Sequence, residues 1–229
     1  MDKHEIEVPA AEEFAKPRSR KDFFKALAVA SAGAAAGTVA FSREASAQAG
    51  GDIGIANFAL TLEYLEEDFY SQALDAGVLS GDALTVVKAI HNHELQHVDA
   101  LVGLIEQFGG TPVDAPQTTF PANAFSSQGS ILELAATFEP VGVGAYLGAA
   151  PLIQSPDVLA AAGSIAGVEG EHVVAVNNLI GGLPSAVEAF PAAMTKNEVL
   201  AAVSPFIMGG GMMDTGGLEY RSRESFGRV

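Results

Sequence analysis

Two short segments of the sequence each carry a glutamate and a histidine three residues apart. The pairs are Glu94 with His97 and Glu169 with His172. Residues three apart on a helix project from one face, so each segment can offer a carboxylate and an imidazole to the same ion. One such pair arises by chance on many solvated helix faces. Two pairs in one chain carry more weight, because the sequences around them are also related.

The flanking sequences form an internal repeat. Segment 59–63 (ALTLE) matches segment 135–139 (AATFE), so that Glu63 corresponds to Glu139. The distance to the following Glu-x-x-His glutamate is 31 residues in the first half and 30 in the second. A tyrosine follows Glu63 and Glu139 after seven residues, about two helical turns, and so lies on the same helix face. The repeat therefore indicates a duplicated helical hairpin.

Together the two hairpins would place four carboxylates and two imidazoles in the core of a helical bundle. Helical di-iron and di-manganese proteins use this set, in which four negative charges balance two divalent cations. Without cations the buried carboxylates would have to take up protons or admit water. One nitrogen per ion among oxygen ligands favours iron or manganese, although zinc can bind by affinity alone. The predicted metal ligands are Glu63, Glu94, His97, Glu139, Glu169 and His172.

Three further residues are predicted to support the ligands, namely Tyr70, Tyr146 and Glu66. For the tyrosines, plain core packing is an equal alternative, because buried tyrosines commonly pack and hydrogen-bond a polar group. Glu66 lies one turn after Glu63 and could join or replace it. Its counterpart in the second half is Gly142, so the symmetry of the repeat favours Glu63 as the ligand. No residue is assigned a catalytic role.

A competing motif overlaps the first pair. Segment 93–97 (HELQH) matches the zinc-peptidase motif H-E-x-x-H, in which both histidines bind zinc and the glutamate activates water. Val168 stands in place of His93 in the second half, and a peptidase leaves the glutamates and the histidine of that half unexplained. A zinc peptidase is therefore the remote alternative. His91 and His93 are expected at the surface or in support of the ligands.

Composition excludes several classes of protein. The 229-residue chain has no cysteine, which excludes disulfides, thiolate zinc sites, iron-sulfur clusters and cysteine nucleophiles. Tryptophan is absent and aromatic residues make up 7%, so a core of Ala, Leu, Val and Ile in packed helices is expected. Residues 50–229 contain five Lys and Arg against 21 Asp and Glu. Such an acidic surface predicts no binding to nucleic acid or anionic lipid.

Residues 1–49 are predicted to be an export signal peptide. A basic segment at 18–21 (RSRK) precedes a weakly hydrophobic run at 26–41 and the A-x-A site at 45–47. The run has 16 residues, too few for a membrane span. Segment 19–25 (SRKDFFK) is similar to a twin-arginine export motif, but Lys21 replaces the second arginine and leaves the route open. The mature protein is expected to be periplasmic or secreted, with no membrane contact.

Apolar periodicity and capping residues predict an all-α fold. The expected helices span residues 52–77, 82–108, 130–150 and 156–180, with a long crossover at 109–129. A capping box at Ser130 and Glu133 would start the third helix, and Ser155 would cap the fourth. Shorter helices follow, one capped at Thr195. The predicted domains are the signal peptide 1–49, a four-helix bundle 50–182, and a helical extension with a tail, 183–229.

The repeated segments also carry a family resemblance. Segment 58–66 (FALTLEYLE), the two Glu-x-x-His turns and segment 139–148 (EPVGVGAYLG) resemble the ferritin-like domain family that includes desiccation-related proteins. The resemblance covers roughly residues 52–182. It implies a ferritin-like bundle in which Glu94 and Glu169 bridge two metals, His97 and His172 are terminal ligands, and Glu63 and Glu139 are bridging or terminal. Pro140 is expected to kink the third helix beside Glu139.

The resemblance implies dimetal chemistry with oxygen or peroxide without selecting one reaction. The favoured function is an exported protein with two iron or manganese ions that acts on peroxide or dioxygen in stress protection, as a peroxidase, catalase or ferroxidase would. Whether the protein is an enzyme stays open. The alternative is a non-catalytic protein, either a metal store or a structural protein related to stress or desiccation. The sequence also leaves a homo-oligomer open.

Overall fold

The structure is a computed structural model that describes the backbone of residues 43–182 and 188–208, and the side chains from residue 51 onward. This part of the chain contains five α-helices, two short 3₁₀ segments and no β-strand. The helices are α1 Arg43–Asp75, α2 Gly81–Gln107, α3 Gln128–Ala149, α4 Pro156–Leu179 and α5 Lys196–Val203. The 3₁₀ segments are Ala150–Leu152 and Ser204–Phe206. Most of the predicted signal peptide and tail lies outside the described residues.

The four long helices form two hairpins. α1 packs along α2 and α3 packs along α4, and the hairpins meet through α1 with α3 and α2 with α4. Gly109 follows α2 and Gly181 follows α4, both with positive φ (77° and 73°), a conformation that ends helices and favours glycine. The all-α prediction of two hairpins, a long crossover and a short C-terminal helix is thus confirmed.

The predicted start of α3 is wrong by two residues. The capping box is formed by Ser127 and Ser130 rather than by Ser130 and Glu133. The Ser130 backbone N–H donates to the Ser127 hydroxyl, and the Ser127 backbone N–H donates to the Ser130 hydroxyl, both at 3.1 Å. Serine therefore supplies both halves of the box, and the helix begins at Gln128. α3 continues through Pro140 as one helix, although proline removes one backbone donor.

The caps of α4 and α5 agree with the sequence. The Ser155 hydroxyl accepts from the Val158 N–H with Pro156 in the first turn, and Thr195 forms a capping box with Glu198. α1 begins at Arg43, nine residues before the predicted start, and so includes the predicted cleavage site. Alanine, common in this stretch, is the strongest helix former, and it extends the helix beyond its amphipathic part.

Asp52 joins the two hairpins at one end of the bundle. The side chain is buried, and its two oxygens accept from the backbone N–H groups of Gln154 (3.0 Å) and Ser155 (2.8 Å), just before α4. Asn57, one turn further along α1, fixes the crossover by donating to the Thr111 carbonyl and accepting from the Val113 N–H. These contacts set where the second hairpin begins relative to the first.

A cluster of phenylalanines covers one side of the bundle core. It combines residues from α1, the crossover, α3 and the second 3₁₀ segment, namely Phe69, Phe120, Phe125, Phe138 and Phe206. Backbone hydrogen bonds also join the crossover to the C-terminal segment, from Thr119 to Phe206 and from Met208 to Gln117. The crossover and the C-terminal segment therefore shield the core where Phe69 and Phe138 lie.

Among the described helices, α4 alone is long and apolar enough to cross a membrane by length and composition. Two facts favour a bundle helix instead. α4 packs against α2 and α3, and its buried face carries Glu169 and His172. Buried core helices commonly meet the same criterion of length and composition.

The Asp52→Ala variant should lower the free energy of unfolding by about 1 to 2 kcal/mol, because two backbone donors before α4 lose a charged acceptor. Urea unfolding followed by circular dichroism measures the change. Asp99→Ala, at an exposed position on α2, is the control and should have little effect. Equal stability of the two variants would contradict the assigned role of Asp52.

Candidate metal centre

All six predicted ligand residues lie in the middle of the bundle. α1 supplies Glu63, α2 supplies Glu94 and His97, α3 supplies Glu139, and α4 supplies Glu169 and His172. The four glutamates are at most 1% exposed and the histidines at most 7%. Glutamates are rarely buried so completely without a compensating partner. The glutamates that precede the histidines by one turn thus reach the same interior as the single glutamates of α1 and α3.

Three carboxylates surround His97. Its Nδ1 atom lies 3.1 Å from Glu63 Oε2, 2.9 Å from Glu94 Oε2 and 3.2 Å from Glu169 Oε1. One ring nitrogen carries at most one proton and cannot donate it well to three oxygens. We call these four residues the His97 position.

A second group of the same kind surrounds His172. Its Nδ1 atom lies 3.0 Å from Glu94 Oε1, 3.2 Å from Glu139 Oε2 and 3.8 Å from Glu169 Oε2. We call these four residues the His172 position. Glu94 and Glu169 belong to both positions, and each directs one oxygen to each histidine. Glu63 and Glu139 each belong to one, so the arrangement is that of two bridging and two terminal carboxylates.

The spacing of these nitrogen and oxygen atoms suits ligands of divalent cations better than hydrogen bonds between the residues themselves. Ligands at adjacent corners of an octahedral ion with bonds of about 2.1 Å lie about 3.0 Å apart, close to most of the nitrogen–oxygen distances found here. Several of these atoms are close in distance but lack hydrogen-bond geometry: Glu94 Oε1, Glu139 Oε2, both oxygens of Glu169 and His172 Nδ1. A buried polar atom without a partner costs about 1 to 3 kcal/mol. The cluster is therefore compatible with dimetal binding.

The two tyrosines of the repeat cross between the hairpins. Tyr70 of α1 donates to Glu139 Oε1 of α3, and Tyr146 of α3 donates to Glu63 Oε1 of α1. Burial and the negative glutamates raise the pKa of both tyrosines, which keeps them protonated as donors. Glu63 and Glu139 thus each accept a hydrogen bond from a tyrosine at one oxygen, while the other oxygen faces a histidine. This geometry favours support of the ligands over plain packing.

Glu66 lies closer to the cluster than the repeat predicts. It is buried and forms a third group of carboxylates with Glu139 and Glu169. Burial and then the charges of Glu169 and Glu139 raise its pKa well above the ordinary value. A Cβ atom on Gly142 would lie 3.4 Å from Glu66 Oε1 and 3.0 Å from Glu169 Oε2. The missing side chain in the second half therefore leaves the space that Glu66 occupies.

His93 contacts His172, a histidine of the cluster. Its Nδ1 atom lies 2.9 Å from Nε2 of His172, and the two rings are nearly parallel at 5.2 Å. His91 instead lies 3.3 Å from Glu67. In the described part of the chain, His93 belongs to none of the residue groups that could hold an ion. His93 and His97 thus do not converge on one ion, which counts against the peptidase alternative.

Sequence reasoning missed the contact between His93 and His172. It named Glu66 as a supporting residue that could join the ligands, but it did not predict that Glu66 groups with Glu139 and Glu169. Both contacts join residues of different hairpins, and no local spacing encodes them. The one available signal was the pair of exceptions in the repeat, where Gly142 replaces Glu66 and Val168 replaces His93. A break in an otherwise regular repeat marks places where the halves differ in structure.

The cations that a metal-free cluster can provide are its own imidazoles. Burial lowers the pKa of His97, but the close carboxylates of Glu169, Glu63 and Glu94 outweigh it and raise the pKa to about 12. The same competition raises the pKa of His172 well above its ordinary value. Burial raises the pKa of Glu139 to about 8, although His172 opposes this shift. The folded metal-free chain therefore holds protons that metal ions would displace.

The comparisons with known proteins agree with the fold. The sequence matches the ferritin-like domain family over residues 51–182, more than half of the chain, so the protein belongs to that family. A similar solved structure is a conserved hypothetical protein from Mycobacterium tuberculosis, at 17% identity and a TM-score of 0.53. The match covers 63% of this chain and 99% of that one, and shows a common fold. No curated protein sequence matches the chain.

The stability of the metal-free protein should fall as pH rises from 4.5 to 8, the ordinary and the folded-chain pKa of Glu139. In this window the folded chain holds a proton that the unfolded chain has released, so the free energy of unfolding decreases with pH. His97 acts in the same direction above its ordinary pKa of 6.5. Metal binding displaces these protons and should become tighter with pH.

Thermal unfolding midpoints with and without Mn²⁺, at about pH 5.5 and pH 7.5, measure both effects. The difference between the metal-bound and metal-free midpoints should widen as pH rises. Glu106→Gln, an exposed charge change on α2, controls for the general effect of acidic charge. A difference that stays constant or narrows would contradict proton displacement at the cluster.

Proposed function

We propose that this protein binds two iron or manganese ions in the bundle core and acts on peroxide or dioxygen in stress protection. The observation that carries the proposal is the pair of Nδ1 atoms, on His97 and His172, each facing carboxylate oxygens from other helices. Glu94 and Glu169 link the two by directing one oxygen to each. Membership of the ferritin-like domain family supports a centre at this place.

The donor atoms support iron or manganese over other metals. Each position offers one imidazole nitrogen and otherwise carboxylate oxygens, and the chain has no cysteine for a thiolate site. A structural zinc ion prefers four nitrogen and sulfur ligands in a tetrahedron, whereas iron and manganese accept more oxygen ligands. Four carboxylates on the two positions also match the charge of two divalent cations.

Two bound redox-active ions would supply two-electron chemistry to a small oxidant. Around them, Tyr70 and Tyr146 hold the terminal glutamates in place. The Glu66 carboxyl, with its raised pKa, can hold a proton next to the centre. The phenylalanine cluster keeps water from the Glu139 side, because Phe138 and Phe69 directly precede Glu139 and Tyr70 and pack together.

A small cavity beside Glu66 supports a small substrate. It has a volume of about 10 Å³ and is lined by Glu66, Gly142 and apolar side chains that include Val203 of α5. This is about the room that one water molecule needs, and peroxide and dioxygen are only slightly larger. Conversion of two peroxide molecules to two water molecules and one dioxygen balances without an external reductant. Disproportionation is therefore the simplest reaction to test.

Export and a desiccation-related type are parts of the same proposal. The family match begins at residue 51, directly after the predicted cleavage point near Gly50. Cleavage there would shorten α1 but keep Asp52 and its contacts to the start of α4. The acidic charge of residues 50–229 supports a mature protein that does not bind nucleic acid or anionic membranes.

The first test is metal content. Elemental analysis of protein matured in its own cell should find close to two iron or manganese ions per chain. His97→Ala and His172→Ala should each lower the metal content and the midpoint of thermal unfolding, because buried carboxylates lose a partner. His91→Ala is the matched control and should change neither.

One zinc ion per chain would favour the peptidase instead. An empty protein whose stability is unchanged by Glu94→Ala and Glu169→Ala would identify the cluster as a structural remnant. His93→Ala is unsuitable as a silent control, because His93 contacts His172.

The second test is turnover. Metal-loaded protein should release dioxygen from hydrogen peroxide well above the rate of the same free ion, and Glu63→Ala or Glu139→Ala should abolish this rate even where metal remains. A Clark electrode measures dioxygen, and metal content is measured on the same samples. Glu67→Gln is the control at an adjacent position outside the cluster. Rates no faster than the free ion, with full stabilisation by metal, would leave a storage or structural protein.

A further inference from the structure

The duplicated hairpins differ at two positions next to the metal ligands. Glu66, one turn after Glu63, corresponds to Gly142, and His93, just before Glu94, corresponds to Val168. In both cases the first hairpin has a side chain that can bind a metal ion or form a hydrogen bond, and the second hairpin has none at the corresponding position. The six ligands repeat symmetrically, so these two exceptions make the surroundings of the centre asymmetric.

Both exceptional side chains approach the His172 position. His93 lies against the Nε2 atom of His172 at 2.9 Å. Glu66 groups with Glu139, which belongs to the His172 position, and with Glu169. The gap at Gly142 borders Glu66 Oε1 and Glu169 Oε2, the Glu169 oxygen that faces His172. The first hairpin therefore supplies two additional groups to the position that the second hairpin completes.

The contact with His93 determines how His172 can bind an ion. The Nδ1 atom of His172 faces the carboxylates, so its Nε2 atom carries the proton when Nδ1 is a ligand. That proton can be donated to Nδ1 of His93. Such an outer partner fixes the ring of a ligand histidine and increases its basicity. Val168 has no polar atom in its side chain and cannot do the same for His97.

Glu66 changes the charge around the same position. The His97 position has three carboxylates, from Glu63, Glu94 and Glu169. At the His172 position Glu94 and Glu139 group closely with the histidine, Glu169 Oε2 lies further away at 3.8 Å from Nδ1, and Glu66 adds a fourth carboxylate within reach of Glu139 and Glu169. Divalent cations are bound more tightly by sites with more negative oxygen ligands. A Cβ atom at position 142 would crowd Glu169 Oε2 at 3.0 Å and touch Glu66 Oε1 at 3.4 Å, so glycine at that position is part of the arrangement.

We propose that the two metal positions are inequivalent, and that the His172 position binds its ion first and more tightly because Glu66 and His93 serve it. Glu66 acts there as an additional carboxylate ligand, and His93 is a positioning residue for His172. This inference rests on the proposed binding of two ions. It adds an order of loading and assigns each of the two exceptional residues a role.

Calorimetric titration of the metal-free protein with Mn²⁺ tests the order of loading. Wild-type protein should show two classes of site, one ion each. His97→Ala should remove the weaker class and His172→Ala the tighter one. Electron paramagnetic resonance at one equivalent of Mn²⁺ should show an isolated ion, and at two equivalents a coupled pair.

Variants of the two exceptional residues test their roles. His93→Ala should weaken the tighter class by about 10- to 100-fold and leave the other class unchanged. His93→Gln keeps a hydrogen-bond acceptor and should restore most of this loss, which a merely structural effect would not produce. Glu66→Gln, which keeps shape and removes charge, should also weaken the tighter class alone. His91→Ala and Glu67→Gln are the matched controls, because these two residues contact each other outside the cluster.

Two sites of equal affinity in wild-type protein would overturn the inference while leaving the proposed function intact. The same holds if His93→Ala and Glu66→Gln weaken both classes equally or resemble their controls. Absence of any Mn²⁺ or Fe²⁺ binding would instead overturn the proposed function itself. Thermal unfolding of the metal-free variants checks that each one folds, so that a loss of binding can be assigned to the site.

Discussion

The constraint on which the rest of the structure depends is the burial of five glutamates around one point of an apolar bundle. Carboxylates in such surroundings lose their hydration and repel one another. Both effects raise the pKa values of these carboxylates. The raised pKa values of Glu66 and Glu139 express this conflict directly. Two histidines and two tyrosines within the bundle relieve part of it, as donors to the carboxylates. They do not relieve all of it, because several carboxylate oxygens still lack a partner with hydrogen-bond geometry. Divalent cations bound among these carboxylates would compensate the remaining charge, as protons do in the metal-free chain.

The peripheral parts of the fold follow from holding this cluster together. Four ligand-bearing helices must keep their register to within a fraction of a turn, since the oxygen and nitrogen atoms converge at about 3 Å. Asp52 sets the start of α4 relative to α1, and the tyrosines link α1 with α3 at the level of the ligands. The crossover and the C-terminal segment add the phenylalanines that close the core. Segments that look like connections are therefore part of the support for the centre.

The clustering of the six residues was predictable from the sequence because its information is local and occurs twice. A Glu-x-x-His turn defines a helix face by itself, and the near-equal spacing of Glu63 to Glu94 and of Glu139 to Glu169 relates the helices within each hairpin. The start of α3 was misjudged because two capping boxes overlap at Ser130, and propensity does not choose between them. The contact between His93 and His172 was not predictable, because it depends on how the hairpins face each other. The tyrosines illustrate the same limit. Their helix face was correct, but each one bonds to the glutamate of the other hairpin.

Duplication explains why the differences between the halves carry information. A duplicated hairpin starts with two equal sets of glutamates and histidines, and the six clustered residues still obey that symmetry. An added carboxylate in a buried charged cluster, such as Glu66, raises the energy of the neighbouring negative charges unless a positive charge compensates it. A change in the lining of one half therefore alters the energy of the whole cluster. Gly142 provides the space for Glu66, and a cation bound at the His172 position would compensate its charge. By this argument Glu66 keeps a proton in the metal-free centre, and it could lose that proton and bind as a carboxylate only when an ion occupies the His172 position.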